Sequence, residues 1–177
     1  MAKKSMFHED YLFKGTQRDK VISLTAKIDV DSNSQIFSSA VELFIFASLV
    51  GALKNRKAEP EKDNSKTHRI MANQFFNHIN ELKLAFKFVL LTSEIDNPEP
   101  VDRLNKTFRN PETDDNYTLF EKYMLGGLDE LYENLILDTN IRYEDYLTSI
   151  NELIQKLNSS DDTGEDIIDV DTDDFKF

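Results

Sequence analysis

The sequence predicts an all-α fold, a compact bundle of about five helices followed by a disordered acidic C-terminal tail. Apolar residues recur three and four apart along most of the chain, as in amphipathic helices. The 177 residues include only 5 Gly and 4 Pro, so helix breakers are few. A 40% hydrophobic content with 13 Phe can fill the core of one domain. We expect an N-terminal arm over residues 1–15, a helical domain over 16–158 and the acidic tail over 159–177.

The first predicted helix is short and ends near Asp29. Thr16 and Asp19 resemble an N-terminal cap for it. Its apolar residues fall three and four apart: Val21, Leu24 and Ile28. A second predicted helix runs from Ile36 to about Lys54 and is apolar nearly all round, which places it at the centre of the fold. A charged linker with a proline, residues 55–64, follows it.

The later half of the chain predicts helices separated by one connector. Residues 66–93 form an amphipathic pattern, either one helix of about 26 residues or two shorter helices with a break. Residues 95–111 contain three prolines and predict a connector with one or two helical turns, pinned by Val101, Leu104 and Phe108. Residues 113–116 offer caps for a helix over 117–137, and a last helix over 141–157 closes the bundle.

The pair Gly126-Gly127 interrupts the predicted 117–137 helix. Each glycine costs about 1 kcal/mol in a helix interior, so the pair indicates a kink or the close approach of another helix or backbone. We expect a partner protein to make that approach, which makes Gly126 and Gly127 candidate partner-binding residues.

A small basic cluster follows the central helix: Lys54, Arg56 and Lys57. Cations at a helix C-terminus complement the helix dipole, and contact with a phosphate backbone is the alternative. The chain carries 33 acidic against 21 basic side chains, and no aromatic residues interleave the cluster. Any contact with nucleic acid is therefore expected to be weak or indirect.

The tail holds over half of the net charge of −12, with eight acids and one lysine in residues 159–177. Its final segment resembles the C-terminal tip of bacterial single-stranded DNA-binding proteins, where acids precede a terminal Phe. Lys176 stands where that family has Pro. A basic, apolar pocket on a partner would capture such a peptide, and solubilising disorder is the alternative. The candidate partner-binding residues in it are Asp171, Asp173, Asp174, Phe175 and Phe177.

The side chains needed for familiar catalytic and metal sites are missing. The absence of Cys excludes disulfides, thiolate nucleophiles and cysteine-ligated zinc. The three histidines, His8, His68 and His78, have no metal-binding spacing, and the sequence has no phosphate-binding loop and no Gly-x-Ser-x-Gly turn. We therefore expect no catalytic, cofactor or metal residues and no enzymatic activity.

The segment Asp29 to Ile36 copies the first eight positions of a calcium-binding EF loop. Position 12, which must be a bidentate Glu, is Ala40, so a helix-capping turn is favoured and ion binding stays open. No signal-peptide pattern and no run of about 20 apolar residues is present, which favours a cytoplasmic protein without membrane contact.

Two stretches carry a family resemblance: residues 36–51, IFSSAVELFIFASLVG, and residues 120–131, FEKYMLGGLDEL. They resemble the small accessory proteins found beside prokaryotic DNA phosphorothioation and restriction genes. In that family an apolar helix with an Ala-x-x-x-Gly end precedes a basic segment, and a Phe-Glu-x-Tyr-x-x-Gly-Gly-Leu run follows later. The resemblance implies a component of an anti-phage defence or DNA restriction assembly, with no catalytic residues to carry over.

The resulting hypothesis is a non-catalytic adaptor that holds larger subunits, a nuclease, an ATPase or a DNA-modification protein, through protein–protein contacts. Whether it forms a homo-oligomer stays open. One alternative is an acidic decoy that imitates DNA or the tail of a single-strand-binding protein and so occupies a DNA-processing protein. Another is a regulator that binds DNA through the more basic residues 1–57.

Overall fold

The computed structural model describes residues 6–29, 34–97, 99–137 and 143–159. Seven α-helices lie in these ranges: α1 (Gly15–Thr25), α2 (Ala40–Leu53), α3 (Ala72–Asn77), α4 (Ile79–Thr92), α5 (Pro100–Leu104), α6 (Asp114–Tyr132) and α7 (Tyr143–Asn158). Four strands accompany them: β1 (Tyr11–Lys14), β2 (Lys27–Asp29), β3 (Ser34–Gln35) and β4 (Thr67–Ile70). A 3-10 turn covers Met6–His8, and π-helical segments cover Asn105–Arg109 and Glu133–Leu137.

Two small antiparallel sheets correct the all-α prediction, although helices dominate the fold. Strand β1 pairs with β4, with Tyr11 opposite Ile70 and Lys14 opposite Thr67. Strand β2 pairs with β3, with Lys27 opposite Gln35. Strands of two to four residues are too short to show an alternating pattern in the sequence.

The start of α1 differs from the prediction. The helix begins at Gly15, whose φ of +53° lies in the left-handed region that favours glycine. The backbone N–H of Thr16 donates to Glu61 Oε2 at 2.9 Å, and the Thr16 hydroxyl also bonds to Glu61. Glu61 therefore binds one of the free N–H groups of the first turn, while Asp19 pairs with Arg18 at 2.6 Å instead of capping the helix.

The end of α1 also falls earlier than predicted. Backbone at Ala26 is extended, and the following residues enter β2 rather than another helical turn. The charged linker after α2 is tied to α1, because Gln17 Nε2 donates to Glu59 O at 2.8 Å.

The apolar helix α2 lies at the centre of the fold, as its sequence predicts. Its N-cap is Ser39, whose hydroxyl accepts a hydrogen bond from Glu42 N at 3.2 Å. It packs mainly against α6 and then against α4. The α6 N-cap is Thr113, one of the predicted caps, which accepts from Asn116 N at 3.2 Å.

The predicted amphipathic segment 66–93 divides into three elements. Its first residues form β4, and a break at His78 separates α3 from α4, which agrees with the two-helix alternative. The connector contains the expected helical turns, α5 and the π-helical segment after it. In the described part of the chain, no helix is both long and apolar enough to cross a bilayer.

Candidate functional site

Gly126 and Gly127 are buried within an unbroken α6 and form a tight seam with α2. A Cβ atom on Gly127 would lie 1.8 Å from Ala47 O, and one on Gly126 would lie 2.1 Å from Arg56 O. Gly51 on α2 completes the seam, since its Cβ would lie 1.9 Å from Tyr123 O. Another backbone segment therefore does lie close to Gly126 and Gly127, as expected, but that segment belongs to the same chain. This corrects the expectation that a partner contacts these glycines, because α2 fills the space beside Gly127 and the segment after α2 fills the space beside Gly126.

The three predicted phosphate-contacting cations each have a partner within the chain. Arg56 bridges to Glu130 at 2.7 Å and Glu133 at 2.6 Å, and its hydrogen bonds to Glu133 raise its pKa further. Lys57 Nζ lies 2.7 Å from Asp96 Oδ1. Lys54 Nζ donates to the backbone carbonyl of Lys156 at 2.6 Å. A phosphate would have to displace these contacts, so the cluster serves to join α2 to α6, α7 and the segment after α4.

Tyr123 and Asp96 form a polar node beside this cluster. The Tyr123 hydroxyl lies 2.8 Å from Asp96 Oδ2 and 2.9 Å from Asn55 Oδ1. Asn55 has a φ of +48°, a left-handed conformation common for Asn after a helix end. Burial opposes ionisation of Asp96, but hydrogen bonds from Lys57 and Tyr123 outweigh it and lower its pKa.

The protonation states of this node are fixed at neutral pH. Burial, with a further contribution from Asp96, raises the pKa of Tyr123 well above its ordinary value. The phenol therefore keeps its proton while the carboxylate stays ionised, which is the arrangement of a structural hydrogen bond. A general acid–base pair needs pKa values nearer the working pH.

Two open grooves run along α6. One of about 410 Å³ is lined by alternating charges that pair with each other, for example Lys122 with Glu59 at 2.7 Å. The other, about 400 Å³, is lined mainly by acids and by Tyr11, whose hydroxyl donates to Glu121 Oε1 at 2.9 Å. Burial raises the pKa of Glu121, and the hydrogen bond from Tyr11 opposes this rise only in part.

An exposed apolar stripe follows the α5 helix, and we name its three residues, Val101, Leu104 and Phe108, the α5 face. Their exposed fractions are 66%, 51% and 59%. This corrects the expectation that these side chains pin the connector to the core. They are spaced three and four apart on continuous helical turns. This spacing is visible in the sequence, but it does not distinguish an exposed stripe from a buried one.

Helix α4 borders the α5 face. The Lys87 ammonium lies 5.6 Å from the centre of the Phe108 ring, within the range of a cation–π contact. Leu84, one turn earlier on α4, is 71% exposed. The α5 face thus has a basic neighbour and an additional exposed apolar side chain beside it.

The other predicted site residues have different outcomes. Asp171, Asp173, Asp174, Phe175 and Phe177 lie outside the described residues, as do positions 30–33 of the EF-like segment. Burial lowers the pKa of His68, with a smaller contribution from Arg18. In the described ranges, no group of three or more acidic, histidine or cysteine side chains is placed to hold a metal ion.

Comparison with protein families identifies a family that matches the chain. The model of the family described as DNA sulphur modification system-associated protein 4 covers residues 17–172, most of the chain. Comparison with curated proteins and with solved structures gives no match. The family match confirms the resemblance carried by residues 36–51 and 120–131. The chain therefore belongs to the family of DNA sulphur modification system-associated protein 4.

Proposed function

We propose that the protein is a non-catalytic adaptor of a DNA sulphur modification system and binds a larger subunit of that system through the α5 face. The observation that carries the proposal is the exposure of Val101, Leu104 and Phe108 on one helical stripe. Single exposed apolar residues are common on protein surfaces, whereas several on one stripe are typical of a helix that docks into an apolar groove. The family's association with a DNA sulphur modification system supports a partner from such a system. Within it, we propose a nuclease, an ATPase or a DNA-modification protein as the larger subunit.

The chemistry of the remaining surface supports an adaptor. Within the basic cluster, Arg56 and Lys57 pair with carboxylates of α6, of the π-helical segment after it and of the segment after α4. Lys54 donates to a backbone carbonyl. The Tyr123–Asp96 pair holds its proton on the phenol. Neither arrangement supplies a free phosphate site or a poised acid–base pair, so the apolar stripe is the strongest candidate for contact with another molecule.

The test compares α5-face variants with a matched control in the native host. Leu104→Asp and Phe108→Asp place a charge on the α5 face, while Phe76→Asp places one on another exposed aromatic, which is 69% exposed on α3. We expect tagged wild-type protein and Phe76→Asp to co-purify with the same subunits by mass spectrometry. We expect both α5-face variants to lose them, with far-UV circular dichroism unchanged. Retention of the partners by both α5-face variants would refute the proposal.

The acidic decoy remains the second candidate, because residues 159–177 carry eight acids against one base. A chain that ends at residue 159 separates the two functions. The decoy loses its target with the tail, whereas the adaptor keeps its partner. Loss of every partner on this truncation, with the α5-face variants unaffected, would favour the decoy.

A further inference from the structure

A small aromatic pocket lies between α4 and the segment that leads into α6. Its volume is about 220 Å³. The lining consists of three rings, a proline and three charged residues: Phe7, Phe86, Tyr117, Pro111, Lys83, Lys87 and Glu112. Lys87 also contacts the Phe108 ring, so the pocket and the α5 face share an edge.

The aromatic lining of the pocket is held in place by ring–ring contacts. Phe86 and Tyr117 are stacked with their centroids 5.0 Å apart, and Phe7 meets them edge-on at 5.9 and 6.0 Å. Phe7 and Phe86 are buried in the core. A cavity of about 150 Å³ is enough for a benzene ring, so this pocket has room for one phenyl group.

The charged lining of the pocket favours an acidic occupant. Lys83 and Lys87 are exposed, and neither pairs with a carboxylate among the described residues. Glu112 contributes one negative charge, which leaves the lining with a net charge of +1. An aromatic ring flanked by two or more acids would satisfy both the rings and the lysines.

We propose that the chain's own C-terminal segment is this occupant, with the Phe175 ring in the pocket and Asp173 and Asp174 beside Lys83 and Lys87. Asp173-Asp174-Phe175 joins two acids directly to a ring, whereas Phe175 and Lys176 separate Phe177 from these acids. The proposal goes beyond the adaptor function and does not depend on it, since it concerns contacts within one chain.

The length of the segment allows this contact. Residues 160–175 span up to about 55 Å when extended. A compact domain of about 150 residues has a radius of gyration near 15 Å, so most of its surface is within reach. Because the segment is tethered, its local concentration is on the order of millimolar, and weak affinity suffices for docking.

The experiment uses tryptophan fluorescence in the full chain, which has no other Trp. In Phe175→Trp we expect emission at shorter wavelength than in urea, and protection from acrylamide quenching. Adding Lys83→Glu and Lys87→Glu should reduce both effects. The matched control, Lys62→Glu with Lys66→Glu, changes the net charge equally on exposed residues of another segment and should leave both effects intact.

The expected size of the effect follows from surface ion pairs. Loss of each lysine should weaken docking about 1.4- to 5-fold. Raising the salt concentration in the Phe175→Trp chain with its lysines intact should weaken docking too, and this measurement needs no lysine variant. Far-UV circular dichroism of every variant confirms that the helices are retained.

Several results would overturn the proposal. One is that the tryptophan of Phe175→Trp emits as a solvent-exposed indole, both with the two pocket lysines intact and with Lys83→Glu and Lys87→Glu added. Another is that the control, Lys62→Glu with Lys66→Glu, loses as much protection from acrylamide quenching as Lys83→Glu with Lys87→Glu does. Protection that grows with protein concentration would assign the pocket to a second copy, and protection of the indole in Phe177→Trp but not in Phe175→Trp would assign it to the other ring.

Discussion

The Asp96 carboxylate joins three segments that lie far apart in the sequence. It pairs with Lys57 after α2 at 2.7 Å, and it accepts a hydrogen bond from Tyr123 on α6 at 2.8 Å. Since only 25% of its side chain is exposed, solvent screens these contacts less than it screens a surface ion pair. The single residue therefore links the end of α2 to α6 across the end of α4.

The contribution of Asp96 to stability should depend on pH. Its pKa is lowered in the fold from an ordinary value of 3.8, so its stabilising effect is present above pH 3.8 and is lost as the pH falls through the folded-state pKa. We expect Asp96→Asn to reduce the free energy of unfolding by about 1–2 kcal/mol at pH 7. Urea unfolding of both proteins between pH 7 and pH 3 should show this difference shrinking at the acidic end.

A suitable control is Glu152→Gln, an exposed residue in the middle of α7. We expect it to change stability by less than about 0.5 kcal/mol at every pH. A difference between wild type and Asp96→Asn that stays constant with pH would contradict the proposed role of the ionised carboxylate.

The sequence reveals the residues of these ion pairs but not the pairs themselves. Lys54, Arg56 and Lys57 stand out as a basic cluster after an apolar helix. The partners of the last two, Asp96, Glu130 and Glu133, lie on segments that only the tertiary fold brings near. The sequence alone does not show these contacts, so it allows two roles for the three residues: binding a phosphate or interacting with the helix dipole.

The helices were more predictable than the strands because their signal extends over more residues. The all-round apolar pattern of α2 indicated its central place, and the Gly126-Gly127 pair indicated a close contact. In contrast, β2 and β3 contain three and two residues, and β4 continues the apolar spacing of the helices after it. Local periodicity therefore identified the main elements and missed the short pairings that depend on distant residues.

The α2–α6 seam makes a prediction in which two effects oppose each other. Gly127→Ala gains about 1 kcal/mol of helix propensity. It also places a Cβ atom 1.8 Å from Ala47 O, a backbone atom that can move only if α2 moves. Overpacking of this kind costs about 1–3 kcal/mol or more, so we expect a net loss of stability in urea unfolding.

The control on the same helix is Thr118→Ala, an exposed position of α6 where no close contact is created. We expect it to stay within about 0.5 kcal/mol of wild type. If Gly127→Ala proved more stable than wild type, the gain in helix propensity would exceed the cost of overpacking at the α2–α6 seam. The close approach of the two helices would then contribute little to stability.

At the scale of the whole molecule, the described N-terminal residues are integrated with the core. Strand β1 pairs with β4, and Phe7 is 2% exposed among Phe75, Phe86 and Phe120 at centroid distances of 5.8–6.1 Å. From the sequence, we expect only an arm over residues 1–15. A single Phe among charged residues gives no periodic signal, so its burial was not visible from sequence.

Phe7 should therefore be among the residues on which the stability of the domain depends. We expect Phe7→Ala to cost about 3–5 kcal/mol, as for other buried aromatics. In a domain of this size each kcal/mol lowers the thermal midpoint by about 2–4 °C, which circular dichroism can follow. The control Phe76→Ala removes an exposed ring and should change the midpoint little. Similar midpoints for the two variants would contradict the placement of Phe7.

The dependence of α2 on α6 has a consequence for the synthesis of the protein. Residues 54–113 separate the end of α2 from the start of α6. At a translation rate of about 5–20 residues per second, the ribosome needs about 3–12 s to make them. During that interval the nascent chain contains its most apolar helix without the helix that covers it. During this period a ribosome-associated chaperone would find the α6-facing side of α2 uncovered.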